Sequence, residues 1–357
     1  MADTRTFRAD DLTQFTSRAF AAAGLPPEHA DTIGRDLVRA NLRGVDSHGV
    51  MRIPMYLERL RRGLVNPTPH VRVTRQTTAV ASVDGDDAMG FIPAHMAMDE
   101  AMELAQDAGI GLVGVRRSGH FGMAALYALQ AIERGFVSMI FTNSSPAIPM
   151  YGGRTTFLGA SPIAAGVPGG ESPPFVMDMA MTVIARGKIR LAAQRGEAIP
   201  EGLALDRQGR PTTDAAEAFE GVCLPFGGVK GSVLATLMDL LSGVLTGSAY
   251  GGDVKNPYLD HSGPQDVGHL FFAIRPDLFM SLDDFAARMD DFYARIKNLP
   301  RADGFDEVLL PGEPERRCEA HRREHGIPIT PDVIIDLRRV ADELDLSFPE
   351  APAEGTT

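Results

Sequence analysis

Gly109-Ile-Gly111-Leu-Val-Gly114 decides how the fold is read, because its spacing matches the G-x-G-x-x-G fingerprint of a dinucleotide-binding βαβ unit. That fingerprint works when a strand runs into it and a helix leaves it, so that a phosphate meets the helix N-terminus. Here the order is reversed. Pro93–Ala108 carries a helical pattern closed at Gly109, and Ile110–Val115 is strand-like. The glycines therefore read as a helix C-cap and a tight strand entry, not as a phosphate cradle.

Outward from this stretch, between about Val71 and Leu245, strand-like and helix-like segments alternate, as in an α/β layer structure. Strands are expected at Val71–Thr74, Ala79–Val83, Ile110–Val115, Phe136–Phe141 and Phe175–Met179. Helices are expected at Pro93–Ala108, Met123–Arg134, Ile184–Arg195 and Ser232–Leu245. Both ends differ. Residues 1–63 read as helices, with Pro27 at a first helical position and Ala30, Ile33, Leu37 and Ala40 at helical spacing up to Gly44; another helix is expected from Val50 to Arg62. After Gly251 comes one apolar strand, Gly268–Ile274, then helices near Ser281–Lys297, Pro314–His325 and Pro331–Leu344. The expected organisation is a helical part (residues 1–75), a central α/β part (76–252), a second helical part (253–348) packing with the first, and a disordered tail (349–357).

The chain has 357 residues, 44% of them hydrophobic, enough to bury a large core. Its net charge of −12 repels phosphate backbones and argues against nucleic acid or an anionic membrane as partner. An anionic substrate would need a local basic pocket. Two distant cysteines, Cys223 and Cys318, imply no disulfide framework, and the polar start from Met1 to Asp11 is no signal peptide, so the cytoplasm is the expected compartment. The run from Val233 to Leu245, interrupted by Asp239, is too short to span a bilayer.

Chemistry is concentrated first in Asp46-Ser47-His48-Gly49-Val50-Met51-Arg52, between two helices. Ser47 is placed as an N-cap, which would put His48 and Arg52, four apart, on one helical face, with Asp46 able to orient the ring. A hydroxy or keto acid suits such a pair: Arg52 holds the carboxylate bidentately while His48 exchanges the hydroxyl proton. The alternative is an N-capped helix with exposed polar residues. His120, in Ser118-Gly-His-Phe-Gly122, lies in a strand-to-helix loop, as a second acid/base, a carbonyl polariser or a hydrogen-bonded loop histidine. Thr142-Asn143-Ser144 and Asp178-Met179-Ala180-Met181-Thr182 end strands with residues able to approach a ribose or amide. Gly227-Gly228-Val-Lys230, opening a helix, reads as a phosphate cradle or as a glycine turn with a solvated lysine. His321-Arg-Arg-Glu-His325, three residues after Cys318, offers a zinc-helix pattern and so a rival function, a zinc hydrolase; its flanking charges favour a solvated, salt-bridged helix.

Taken in order, these landmarks resemble the malate/L-lactate dehydrogenase-like family, which includes ureidoglycolate, sulfolactate and diketogulonate enzymes and a cyclic ketimine reductase. They are D-S-H-G-V-M-R-I-P-M-Y from Asp46, V-D-G-D from Val83, G-H-F-G-M-A from Gly119, T-N-S-S-P-A from Thr142, G-G from Gly152, D-M-A from Asp178, A-R-G-K-I from Ala185, G-R-P-T-T-D from Gly209, G-G-V-K-G from Gly227 and L-P-G-E from Leu310. The resemblance implies a non-Rossmann α/β fold with a mixed central sheet, a discontinuous helical domain from both chain ends, a homodimer, and NAD or NADP bound in the cleft. It implies a 2-hydroxy acid or 2-keto acid substrate, or a cyclic imine carboxylate reduced in its place. His48 resembles the family's proton donor/acceptor, Arg52 its carboxylate anchor, and His120 an acid/base of some members; Ser47 and Asp46 flank them. Ser144, Asp178, Met179, Ala180, Thr182, Lys230, Gly312 and Glu313 resemble its cofactor contacts, and no metal is implied. The chain departs from the family pattern at Gly159-Ala-Ser-Pro162, where G-T-N-P is usual, at Gly119 before His120, and at D-M-A-M-T from Asp178.

Overall fold

Val267–Ile274, the apolar strand read as part of the C-terminal half, lies at the centre of the molecule. In the computed structural model, which describes residues 4–351, it is the last of seven strands in one sheet: β1 (Arg72–Arg75), β2 (Val80–Asp84), β3 (Ile110–Ser118), β4 (Val137–Thr142), β5 (Ile163–Val167), β6 (Phe175–Met179) and β7 (Val267–Ile274). Their spatial order is β1-β2-β3-β7-β4-β5-β6. Only β2 and β3 run parallel; the other neighbouring pairs are antiparallel. A doubly wound nucleotide fold is all but parallel, so this mixed sheet is of another kind. Of the expected tail, residues 352–357 lie outside the described residues.

The eleven α-helices among the described residues are α1 (Ala9–Ala22), α2 (Pro27–Leu42), α3 (Ile53–Arg61), α4 (Phe91–Ala108), α5 (Ala125–Glu133), α6 (Arg186–Arg195), α7 (Ala215–Glu220), α8 (Val229–Asp239), α9 (Leu282–Lys297), α10 (Glu313–His325) and α11 (Pro331–Glu343). Strand alternation sorts the sheet's two faces. Val113, Ile140 and Phe271 join α4, α5 and the terminal helices in the main core, whereas Phe141 and Leu270 face a second cluster with Ile189, Ala235 and Met238.

Both ends of the chain meet. Arg5–Phe7 pairs antiparallel with Ile327–Ile329, and the Phe348 ring packs edge-on against Phe7 and Phe15 at 5.4 and 5.1 Å. His95 of α4 ties this terminal body to the sheet: Nε2 lies 2.7 Å from Asp36 of α2, and Nδ1 lies 2.7 Å from the Gln130 carbonyl oxygen on α5. Burial opposes a charge on this ring, but acceptors on both nitrogens outweigh it and hold its pKa above the ordinary value.

The fingerprint glycines serve packing. Gly109 caps α4 at φ +83°, and a Cβ on Gly111 would lie 1.9 Å from the Ala101 carbonyl, so the strand reaches α4 only without a side chain there. Three expectations need correction. The 253–348 segment is not a helical unit, since β7 fills the sheet's centre and α9 attaches at the outer edge, where Asp290 accepts from the backbone of Glu171 and Ser172. Strand β5 went unread because Ile163–Val167, small-residue-rich between Pro162 and Pro168, carries little strand signal. Helix α8 starts at Val229 and passes into a π turn at Leu240–Val244.

Candidate active site

Asn41, buried on α2, shapes the turn that carries His48 and Arg52. Its amide oxygen accepts from Val50 N (2.8 Å) and its amide nitrogen donates to Asp46 (2.6 Å). A Cβ at Gly49 would stand 2.1 Å from that oxygen, so any side chain there would displace the Asn41 amide that holds the turn. The chain makes two 3₁₀ turns, Asp46–His48 and Val50–Arg52, before α3 begins at Ile53 with Pro54 in its first turn. The helix expected from Val50 thus begins three residues later. Ser47 is not its N-cap: the N-cap is Arg52, and the Ser47 hydroxyl instead meets His48 Nδ1 at 2.9 Å.

Asp46 does not orient His48. Both its oxygens are held by Arg322 of α10, at 2.7 and 3.0 Å, so this carboxylate fastens the turn to the C-terminal body. Arg52 is drawn over the site by two contacts: Nε donates to the Ser47 carbonyl (2.6 Å), and NH1 donates to Tyr258 Oη (2.5 Å), with the guanidinium 5.4 Å from that ring's centroid. The remaining N–H bonds of NH1 and NH2 form the fork left for a carboxylate.

His120 reaches the same place from β3's end. Its ring lies 5.6 Å from that of His48, 17° from parallel. Tyr56 of α3, one helical turn beyond Arg52, meets His120 Nδ1 at 2.6 Å, and Gly122 N donates to the same nitrogen at 3.2 Å. Beneath, buried His269 on β7 stacks on Phe121 (4.5 Å, 4°) and bridges Thr142 and Ser118 through its two nitrogens. A strap at 255–265 crosses the cleft: Gln265 accepts from His120 N (3.1 Å), Tyr258 holds Arg52, and buried Arg59 of α3 donates to the carbonyls of Asp260 and Gly263. Tyr56, Arg59, Tyr258, Gln265 and His269 were not singled out in the sequence. Tyr56 alone had a usable signal, standing four and eight residues after Arg52 and His48.

Electrostatics keep both imidazoles neutral. Burial, reinforced by the Arg52 charge, lowers His48 to about 4; burial first, then Arg52, His48 and His269, hold His120 well below its ordinary value. Burial likewise raises the Tyr56 phenol, so it stays protonated. Neither histidine lines the apolar cavity of about 250 Å³ beside Phe175 and Phe292 or the polar one of about 610 Å³ beside Tyr250 and Asp253.

Beside the cleft the expected cofactor residues form one strip. Asp178, next to last in β6, accepts from Ala125 N at the start of α5, just after the His120 loop (2.8 Å). Met181 N donates to the Ala160 carbonyl and Ser144 Oγ lies 3.3 Å from Ser161 N, bringing Ser144 against the Asp178–Thr182 segment. Thr182 bridges to Pro225, which leads into Gly227-Gly228 and Lys230 at the α8 N-terminus. Both glycines have positive φ and open space where a Cβ would stand, and Met179, Ala180 and Lys230 are exposed. Free helix N–H groups, a lysine and uncrowded glycines fit a pyrophosphate. Elsewhere the expectation fails. Thr142 and Asn143 are buried and hydrogen-bonded within the fold, and the Glu313 carboxylate is enclosed by Tyr293, Lys297 and Leu310 N, so it offers a ligand nothing. Gly312 packs on Val176 of β6.

The zinc reading is not supported. His321 and His325 stack at 4.4 Å on an exposed face, Arg322 between them binds Asp46, and among the described residues no three His, Cys, Asp or Glu side chains converge to hold a metal. Nor is any helix among them long and apolar enough to cross a membrane.

A family model described as malate/L-lactate dehydrogenase matches residues 7–338. The chain is 37% identical over 330 residues to the L-sulfolactate dehydrogenase of Methanocaldococcus jannaschii, covering 92% of this chain and 94% of that one; the solved sulfolactate dehydrogenase of that organism superposes with a TM-score of 0.91 at 35% identity, over 97% and 98% of the two chains. It is 33% identical to the ureidoglycolate dehydrogenase (NAD(+)) of Escherichia coli, over 91% of this chain and 92% of that one. Identity is 35% to the (2R)-3-sulfolactate dehydrogenase (NADP(+)) of Chromohalobacter salexigens, over 90% and 93%. The delta1-piperideine-2-carboxylate reductase structure from Pseudomonas syringae matches with a TM-score of 0.84 at 30% identity, over 95% of this chain and all of that one.

Proposed function

Because this chain belongs to the malate/L-lactate dehydrogenase family, we propose that it is an NAD(P)-dependent oxidoreductase interconverting a 2-hydroxy acid and its 2-keto acid, with His48, His120 and Arg52 as its working residues. The observation that carries the reading is the juxtaposition of two stacked, neutral imidazoles with a guanidinium fork in one cleft. When bound, the cofactor supplies the hydride acceptor or donor of the reaction. Arg52 holds the substrate carboxylate through NH1 and NH2 and so fixes the carbon beside it. His48 takes the hydroxyl proton in oxidation and returns it in reduction, and His120 hydrogen-bonds the same oxygen. Ser144, Asp178, Met179, Ala180, Thr182 and Lys230 hold the cofactor, with Lys230 and the α8 N-terminus on its phosphates.

A cyclic imine carboxylate is the second reading, favoured by the likeness to the piperideine carboxylate reductase: its carboxylate uses the same fork, and nitrogen takes the proton instead of oxygen. The test is a panel of 2-hydroxy acids, 2-keto acids and cyclic imine carboxylates followed by nicotinamide absorbance with both cofactors, with EDTA as control. Turnover of a 2-hydroxy or 2-keto acid, insensitive to EDTA, is expected; no turnover of any carboxylate would sink the reading.

We propose the cytoplasm as its compartment, because its two cysteines are free thiols and the chain is acidic. It is assigned as a homodimer from one surface. Val229, Val233, Leu237, Leu240 and Val244 recur every three or four residues along α8 and its π turn, each between 43% and 62% exposed. A monomer rarely leaves such an apolar seam in water. Leu237→Glu is expected to convert a dimer into monomers by light scattering; an unchanged dimer mass would place the interface elsewhere.

A further inference from the structure

We propose that Tyr56 and the backbone N–H of Gly122 lock His120 as the neutral tautomer with its proton on Nε2, so that His120 only donates a hydrogen bond to the reacting atom and His48 alone exchanges the proton. The inference rests on the reading above and divides the work between its two histidines.

An amide N–H can only donate. With Gly122 N 3.2 Å from His120 Nδ1, that nitrogen must offer its lone pair and carries no proton. The Tyr56 hydroxyl, 2.6 Å from the same atom, is then also a donor, and its burial keeps the phenol protonated. A neutral imidazole has one N–H, so it lies on Nε2. Adding a proton at Nδ1 would set it against the Gly122 N–H, a donor facing a donor, and would force the Tyr56 hydroxyl to turn from donor to acceptor. It would also set a second cation beside Arg52, against the His48 ring and near His269. Among the described residues, those groups, with Tyr56 and Tyr258 behind Arg52, are the titratable and charged side chains that face this ring.

Proton bookkeeping then leaves one candidate. In oxidation the substrate O–H breaks, its hydrogen forms a new N–H on His48, the C2–H pair leaves as hydride, for which a bound nicotinamide cofactor would be the acceptor, and the new carbonyl accepts the His120 Nε2–H without proton transfer. Reduction reverses each of these changes. His120 has no free lone pair to receive a proton, whereas His48 Nδ1 faces a serine hydroxyl that can either donate or accept, so its ring can change protonation state without losing a partner. Tyr56 is thus a positioning residue, acting through His120.

The test is ¹⁵N NMR of histidine-labelled, cofactor-free protein. His120 is expected to show an unprotonated Nδ1 and a protonated Nε2 throughout the pH range in which the protein stays folded; in Tyr56→Phe, a population with Nδ1 protonated should appear. A protonated Nδ1 or an imidazolium at His120 in the wild type would overturn the proposal. Kinetics give a second readout. His120→Gln keeps a neutral donor and should lose only about tenfold in kcat, whereas His48→Gln should lose about a hundredfold or more. Equal losses in two variants that both fold by circular dichroism would overturn the division of labour. Failure of the wild type to turn over any carboxylate would instead defeat the functional reading, and the spectrum would still decide the tautomer.

Discussion

Replacing His48 by alanine is expected to lower kcat by about a hundredfold or more while cofactor binding, measured by nicotinamide fluorescence, stays near the wild-type value. The expectation follows from where the ring sits. It stacks on His120, meets the Ser47 hydroxyl and, among the described residues, has no hydrogen bond to the cofactor strip, so its loss removes a proton acceptor and leaves the strip's own hydrogen bonds intact. The direction of the pH dependence also follows. Burial and the Arg52 charge hold His48 to about 4, so it is neutral and able to accept a proton across the neutral range. Oxidation should therefore hold its rate as pH falls and decline only as the imidazole protonates near that value. Reduction needs the protonated ring, so it should accelerate toward acid. A His48→Ala enzyme with unchanged kcat would remove the residue from the chemistry.

Arg52→Lys is expected to lower kcat/KM for a carboxylate substrate by about a hundredfold, mainly through KM, because truncating one side of a hydrogen-bonded charge pair costs about 2–5 kcal/mol and each 1.4 kcal/mol is tenfold. Charge is conserved in this variant, so charge alone is not what is tested. Arg52 uses Nε to grip the Ser47 carbonyl and NH1 to grip Tyr258, and it still presents NH1 and NH2 to a ligand; an ammonium on a flexible stem cannot do all three. Arg52→Met adds an independent check. Without the neighbouring cation, His48 should titrate at a higher pH, moving the acid limb of the oxidation profile upward. An unaltered KM in the lysine variant would mean that the carboxylate lies elsewhere.

Much of this architecture was legible from local pattern. The reversed order around Gly109 showed that the glycines close a helix, since a C-cap needs positive φ and the run before it is helical; both are local properties. Periodicity likewise located α4 and α9 within two residues, because amphipathic spacing is written in consecutive side chains. The region around β5 was less legible, because a short strand of small residues owes its conformation to the neighbours that pair with it.

At the site, the sequence alone determined the chemical inventory: an imidazole and a guanidinium four residues apart, a second imidazole in a strand-to-helix loop, and a glycine–lysine helix start. Tertiary structure decided which of these act on one another. Asp46, a neighbour of His48 in sequence, turned to Arg322, 276 residues away, while Tyr56, His120 and Gln265, spread over more than two hundred positions, converged on one loop. Such partners cannot be read locally, because hydrogen bonds form at about 3 Å in space and only the folded chain, with its two ends joined and β7 at the centre of the sheet, brings those distances about.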